Sequence, residues 1–113
     1  MSLSNEQWEF LKDVAALIYY ADHRPAKDYK LTGAELYRTP EQAALNAKKG
    51  SGIKNSLHTQ RLAIDLNLFI DGEYRTDTKA YRELGEFWKG LSPNNRWGGD
   101  FSRPDGNHFE RNA

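Results

Sequence analysis

The fold class this sequence predicts is α+β, a small antiparallel sheet packed against about three helices, and three patterns predict it. Apolar residues recur at three- and four-residue steps near the N-terminus and again in the last third of the chain, which is helical spacing. Between them, in Leu62-Ala63-Ile64-Asp65-Leu66-Asn67-Leu68, large apolar residues take every even position, the period of a strand with one core face. Asp71-Gly72 then supplies a hairpin turn signal, so the strand gains an antiparallel neighbour in Glu73-Tyr74-Arg75.

The 113 residues, 38% hydrophobic and 28% charged, have the composition of one soluble globular domain over residues 1–113, with no room for a second. Sixteen Lys and Arg offset sixteen Asp and Glu, so no global positive field draws in nucleic acid, which is not expected as a partner. The longest apolar stretches, residues 14–20 and 62–70, fall well short of the roughly 20 residues that cross a bilayer, and no membrane insertion is expected. Met1-Ser2-Leu3-Ser4 runs straight into Asn5, Glu6 and Gln7, without the basic region and apolar run of a secretory signal. There is no cysteine, which removes disulfides and thiolate ligands together; a metal would have to be held by His and carboxylate.

The first helix is predicted to start at Ser4, because Ser4-Asn5-Glu6-Gln7 has the form of a capping box, with Leu3 placed to staple it. Trp8, Leu11, Val14 or Ala15, and Ile18 form its expected buried stripe, and it runs to about Ala21. Residues 22–30 are polar and contain Pro25, so they read as a surface loop that leaves His23 exposed. A short strand is predicted over residues 31–37. Thr39-Pro40-Glu41-Gln42 follows as a second capping box, with Gln42 as the partner of Thr39 and Pro at the first helical position, opening a short helix to about Lys48. Lys48-Lys49-Gly50-Ser51-Gly52 reads as a connector whose glycines are too few and wrongly spaced to cradle phosphate. A third helix starts near Asp77, turns Tyr81, Leu84, Phe87 or Trp88, and Leu91 inward, and stops at Ser92-Pro93. Trp8 and Trp88 both belong to the core on this reading. Residues 96–110 are loop-like, with one or two brief strands.

Of three histidines, His58 lies in the loop entering the 62–68 strand and His108 follows Asp105-Gly106-Asn107. Asp65, at an odd position of the strand, points away from the apolar core, where a sheltered carboxylate is costly unless paired or bound to a cation. Two imidazoles and one carboxylate would make a three-ligand zinc site with its fourth position open, the form of catalytic zinc, and an open position implies hydrolysis. Asp105, three residues before His108, is then within reach of the reacting water as general base. The same residues also admit a plainer arrangement: an exposed His, a strand Asp bonded to a turn, and a late His with no ligand role.

A family resemblance favours the first. Ser56-Leu57-His58-Thr59-Gln60-Arg61-Leu62-Ala63-Ile64-Asp65 resembles the Ser-x-His-x-x-x-x-Ala-x-Asp signature of the zinc D-alanyl-D-alanine carboxypeptidase and L-alanyl-D-glutamate endopeptidase family. Trp97-Gly98-Gly99-Asp100-Phe101 and Asp105-Gly106-Asn107-His108-Phe109-Glu110 resemble the Trp-Gly-Gly segment and acid-x-x-His ending of its phage members, and residues 33–42 resemble their upstream arginine segment. Arg61 departs from the family, where many members have Gly; Asp105 stands where the carboxypeptidase branch commonly has Glu. The resemblance implies a Hedgehog/DD-peptidase-like fold whose sheet carries one zinc ion, held by His58, Asp65 and His108. It also implies that Asp105 is the general base and that Arg38 stabilises the oxyanion. Ser56 and Glu110 would orient His58 and His108, and Trp97 would line the floor of a cleft.

The function implied is cleavage of the stem peptide of bacterial peptidoglycan, at the L-alanyl-D-glutamate bond, by a monomeric phage or prophage endolysin. Such an enzyme would collect in the host cytoplasm and reach the periplasm or wall through a pore made by another protein. A D-alanyl-D-alanine carboxypeptidase needs the same metal and base and differs in its pocket. A phage wall-binding or structural module with structural zinc is the non-enzymatic alternative. A glycosidase working through Glu35 and Asp65 would leave the histidines unexplained.

Overall fold

The computed structural model describes residues 2–50 and 56–113. Three helices, α1 (Leu3–Asp22), α2 (Pro40–Lys48) and α3 (Thr78–Leu91), accompany a five-stranded sheet. The strands are β1 (Tyr29–Glu35), β2 (Ala63–Ile70), β3 (Glu73–Arg75), β4 (Asn95–Trp97) and β5 (His108–Arg111). They run in the order β1-β2-β5-β4, with β3 also on β2, and each pairing is antiparallel. The class is the α+β class that the two periodicities predict.

The hairpin lies where Asp71-Gly72 places it, both residues adopting the left-handed conformation that matches strand twist. Helix α3 is capped by Asp77, whose side chain accepts from the N–H of Ala80, and it buries Tyr81, Leu84 and Trp88. Thr39 caps α2 by accepting from Gln42 N–H at 3.0 Å, but the Gln42 side chain turns to Asn46 instead of closing the capping box. Only the first part of the connector expected at residues 48–52 falls within the described residues.

Helix α1 departs from expectation at its start and on its face. Its cap is Ser2, which accepts from Asn5 N–H, so the helix begins before Ser4, and the Gln7 side chain donates to the carbonyl of Gln60 at 2.8 Å. The buried stripe is Phe10, Val14, Leu17 and Ala21, whereas Trp8, Leu11 and Ile18 are exposed, Trp8 by 58%. Both stripes have helical spacing, so periodicity alone does not choose between them. The choice is made by the partner surface: Phe10 meets Trp88 edge-on at 5.6 Å, and Trp88 meets Phe109 edge-on at 5.9 Å. Trp8 is therefore not a core residue, while Trp88 is.

The helices α1 and α3 cover one face of the sheet, where Leu62, Leu66, Leu68 and Phe109 complete the core. Trp97 is fully buried there rather than lining a cleft, and its indole N–H donates to the carbonyl of Gly106 at 2.8 Å. Its ring is clasped between Gly85 of α3 and Gly99, where an added Cβ would lie 2.1 and 2.2 Å from ring atoms. The flat clasp needs glycine on both sides of the indole.

One ion pair is set inside this frame. Arg111 of β5 donates to both carboxylate oxygens of Glu6, at 3.1 and 3.3 Å, with both side chains almost wholly buried. Removing one member leaves the other charge buried and alone. Glu6→Ala is expected to cost about 3 kcal/mol, read as a lower urea midpoint at unchanged slope; a loss under about 1 kcal/mol would mean that water reaches the guanidinium instead.

Candidate metal centre

Three strands present the polar face of the sheet in register: Glu35 lies opposite Asp65, and Asp65 opposite His108. His58 comes from a 3-10 turn, Leu57–Gln60, that leads into β2. The expected strand over residues 31–37 ends early, at Glu35, after a bulge between Gly33 and Glu35. The backbone beyond it serves His58 instead: the ring Nδ1 lies 3.0 Å from the carbonyl of Leu36, and Arg38 N–H donates to the His58 carbonyl at 3.1 Å.

His58, Asp65 and His108 converge, with one donor atom from each lying within 4.8 Å of the others. His58 Nε2 is 3.4 Å and His108 Nδ1 is 3.1 Å from Oδ1 of Asp65. The far nitrogen of each ring is occupied by an oxygen: His58 Nδ1 faces the Leu36 carbonyl, and His108 Nε2 lies 2.7 Å from Glu110 Oε1. A carbonyl and a carboxylate can only accept, so the protons belong on those far nitrogens. The near nitrogens then turn lone pairs toward a carboxylate oxygen, three acceptors with no hydrogen between them. A cation satisfies that arrangement. Ligand atoms about 2.0 Å from one tetrahedral ion stand roughly 3.3 Å apart, close to the 3.4 and 3.1 Å that separate the two ring nitrogens from Asp65 Oδ1.

The electrostatics agree. Burial alone would raise the Asp65 carboxyl, but the contacts with His108 and His58 outweigh it and hold it down at about 2. Burial would lower His108, yet the Asp65 and Glu110 carboxylates push it up to about 9. For Glu110 burial works upward and is outweighed by His108 and Arg96, so its carboxyl is lowered and stays charged.

Asp105 lies at the rim. Its backbone is fixed by donation of its N–H to the Gly98 carbonyl at 2.9 Å and by acceptance from His108 N–H at 3.1 Å. A Cβ on Gly98 would stand 2.1 Å from that Asp105 carbonyl, which accounts for Gly at this position. The carboxylate is solvent-facing and forms no hydrogen bond among the described residues. Partial loss of water raises its pKa; His108 opposes the rise and Asp65 reinforces it. Asp105 also forms the wall of a polar recess of about 180 Å³ with Tyr74, Thr76, Thr78, Tyr81 and Asn107. The larger recess, between α1 and β1, is lined by Ile18, Tyr19, Tyr29 and Leu31 among others and involves none of the triad.

Arg38 is mostly buried, ion-paired to Glu35, with Nη1 3.4 Å from Ser56 Oγ. It is near enough for its charge to lower Asp105. Among the described residues Ser56 forms no hydrogen bond with the His58 ring; it accepts from the His58 backbone N–H at 3.2 Å and so holds the turn. The group that holds the ring is the Leu36 carbonyl, which has no sequence signature. Glu35 and Asp65 are register partners, but one is bound to a guanidinium and the other to two imidazoles, so neither is free for glycosidase chemistry. His23, by contrast, stacks on Tyr19 at 3.9 Å, remote from the site in the helix order.

An antiparallel sheet that gathers two imidazoles, a carboxylate and a solvent-facing acid is the arrangement of a metal-dependent hydrolase. Residues 49–111 match the D-alanyl-D-alanine carboxypeptidase family, and the chain belongs to that family of metallopeptidases. Among solved structures it is similar to the L-Ala D-Glu endopeptidase ChiX of Serratia marcescens, with a TM-score of 0.73 at 17% identity over 90% of this chain and 77% of that one. At that identity the likeness speaks for the fold. No curated protein matches the chain.

Proposed function

We propose that the protein is a zinc peptidase that cuts the L-alanyl-D-glutamate bond of peptidoglycan stem peptides and serves as a phage or prophage endolysin. The observation that carries the reading is the triad of lone pairs at His58, Asp65 and His108 beside the raised acid Asp105. Two nitrogens and one oxygen are a donor set suited to zinc, which when bound supplies Lewis acidity to water and to the peptide carbonyl. Asp105 takes the proton of the attacking water and returns it to the leaving nitrogen. Arg38, held by Glu35, offers positive charge to the carbonyl oxygen as it becomes an oxyanion. Glu110 fixes the His108 ring, and the Leu36 carbonyl fixes that of His58.

The name of the similar endopeptidase supports the choice of bond, and the resemblance of Trp97-Gly98-Gly99 and Asp105-Gly106-Asn107-His108 to phage members supports the lytic role. On this reading the protein, a monomer, accumulates in the host cytoplasm and reaches the wall through a pore made by another protein. The description of the matched family favours a second reading, D-alanyl-D-alanine carboxypeptidase. Mass spectrometry of peptidoglycan fragments incubated with the zinc-loaded protein separates the two. Products split between L-Ala and D-Glu, abolished by a chelator and restored by zinc, are expected. Loss of terminal D-Ala alone would establish the carboxypeptidase, and no cleavage by folded, zinc-loaded protein would leave a non-catalytic wall module.

A further inference from the structure

We propose that Arg61, laid across the ring of Tyr37, forms a subsite for a free carboxylate of the peptide substrate, an inference that rests on the stem-peptide reading above. Tyr37 lies two residues past Glu35 in β1, and Arg61 four residues before Asp65 in β2. Because Glu35 and Asp65 are register partners, both residues emerge from the end of the sheet that carries the triad. The N–H groups of Arg38 and Arg61 both donate to the carbonyl of His58, at 3.1 and 3.3 Å, so the Tyr37–Arg61 pair borders a ligand residue directly.

Two independent features mark the guanidinium as available. Arg24, Arg38, Arg75, Arg82, Arg96 and Arg111 each have a carboxylate partner. Arg61 and Arg103 have none among the described residues, and the remaining residues, Met1 and 51–55, include no Asp or Glu; of these two, Arg61 is the one that lies over an aromatic ring. Its contact is the Tyr37 ring, 4.0 Å from the guanidinium carbon, with the ring itself 42% exposed. Stacking holds the guanidinium plane and leaves its N–H edge free to meet a planar carboxylate with two parallel hydrogen bonds. The second feature is the backbone: Arg61 has φ 56° and ψ 37°, the left-handed conformation in which glycine is at ease. A long cationic side chain is kept where the turn would favour none, although no internal partner asks for it.

The ligand follows from the chemistry of the substrate. A glutamate residue that continues a peptide through one carboxyl keeps the other free, so a bond at D-Glu has a carboxylate close by. A carboxamide in its place has the same shape without the charge.

The test is calorimetric binding of two stem peptides, one with the free D-Glu carboxylate and one with it as carboxamide, to zinc-loaded protein carrying Asp105→Asn to prevent turnover. The carboxylate peptide is expected to bind about tenfold tighter. Adding Arg61→Gly should remove that preference by weakening the carboxylate peptide alone, at an equal or higher thermal midpoint, and Arg61→Lys should keep part of it. With Asp105 intact, the same Arg61→Gly change should raise KM for the carboxylate peptide and spare the carboxamide. Equal weakening of both peptides, an undiminished preference in the Arg61→Gly protein, or no measurable binding by the parent would overturn the subsite. Failure of the unsubstituted protein, with Asp105 intact, to cleave either peptide would sink the peptidase reading instead, while the binding preference would still decide this one.

Discussion

The Asp105→Asn variant is expected to lose between about 10²- and 10⁴-fold in kcat while keeping its metal content and thermal midpoint. The separation of effects follows from how Asp105 is held. Its main chain is tied to Gly98 and His108, and an amide side chain leaves both ties in place. The carboxylate itself supports no other group by hydrogen bonding among the described residues, so the exchange removes a proton acceptor and little else. Turnover of a stem peptide, measured beside metal content by elemental analysis, checks both halves. A variant that keeps full turnover would move the proton transfer to another group. One that loses metal as well would mean that Asp105 belongs to the donor set.

Asp65→Ala should act on the opposite side of that division. Asp65 Oδ1 is the atom both near nitrogens approach, at 3.4 and 3.1 Å, and it lies in β2, between β1 and β5. Without it two imidazoles remain, and zinc affinity is expected to fall at least about 100-fold, with peptidase activity lost at micromolar metal. The readout independent of activity is thermal: an ion bound at about 100 times its dissociation constant adds about 2.7 kcal/mol to stability. The parent should therefore melt higher on addition of zinc and the variant should not. Equal stabilisation of both would place the ion elsewhere.

Much of the fold was legible because its signals are local. The alternation in residues 62–68, the Asp71-Gly72 turn and the Asp77 cap are each decided by a few neighbouring residues, and each element forms where those residues indicate. The face of α1 was not legible, since its two apolar stripes differ only in what they meet across the core. Trp97 was misplaced for a related reason: the Trp-Gly-Gly motif reads as a surface feature until Gly85, fourteen and twelve residues from its partners Gly99 and Trp97, closes over the indole. At the site, residue type raises His58, Asp65 and His108 as candidates and the family motifs select them, because side-chain donors have names in a sequence. The support of His58 had no such name, being a backbone carbonyl freed where β1 stops short.

The order of the strands also sets a sequence of events in time. Among the strands, β5 is the last to be synthesised, yet it is the one that joins β2 to β4, and it brings His108 with it. A ribosome-bound chain that has not released residues 108–111 has neither a joined sheet nor a complete donor set. Joining the sheet and completing the donor set thereby fall to the same strand, and a fragment cut short of β5 lacks both. The three donors thus come together only once β5 has paired with β2, so the centre is a product of the assembled sheet and not of any one segment.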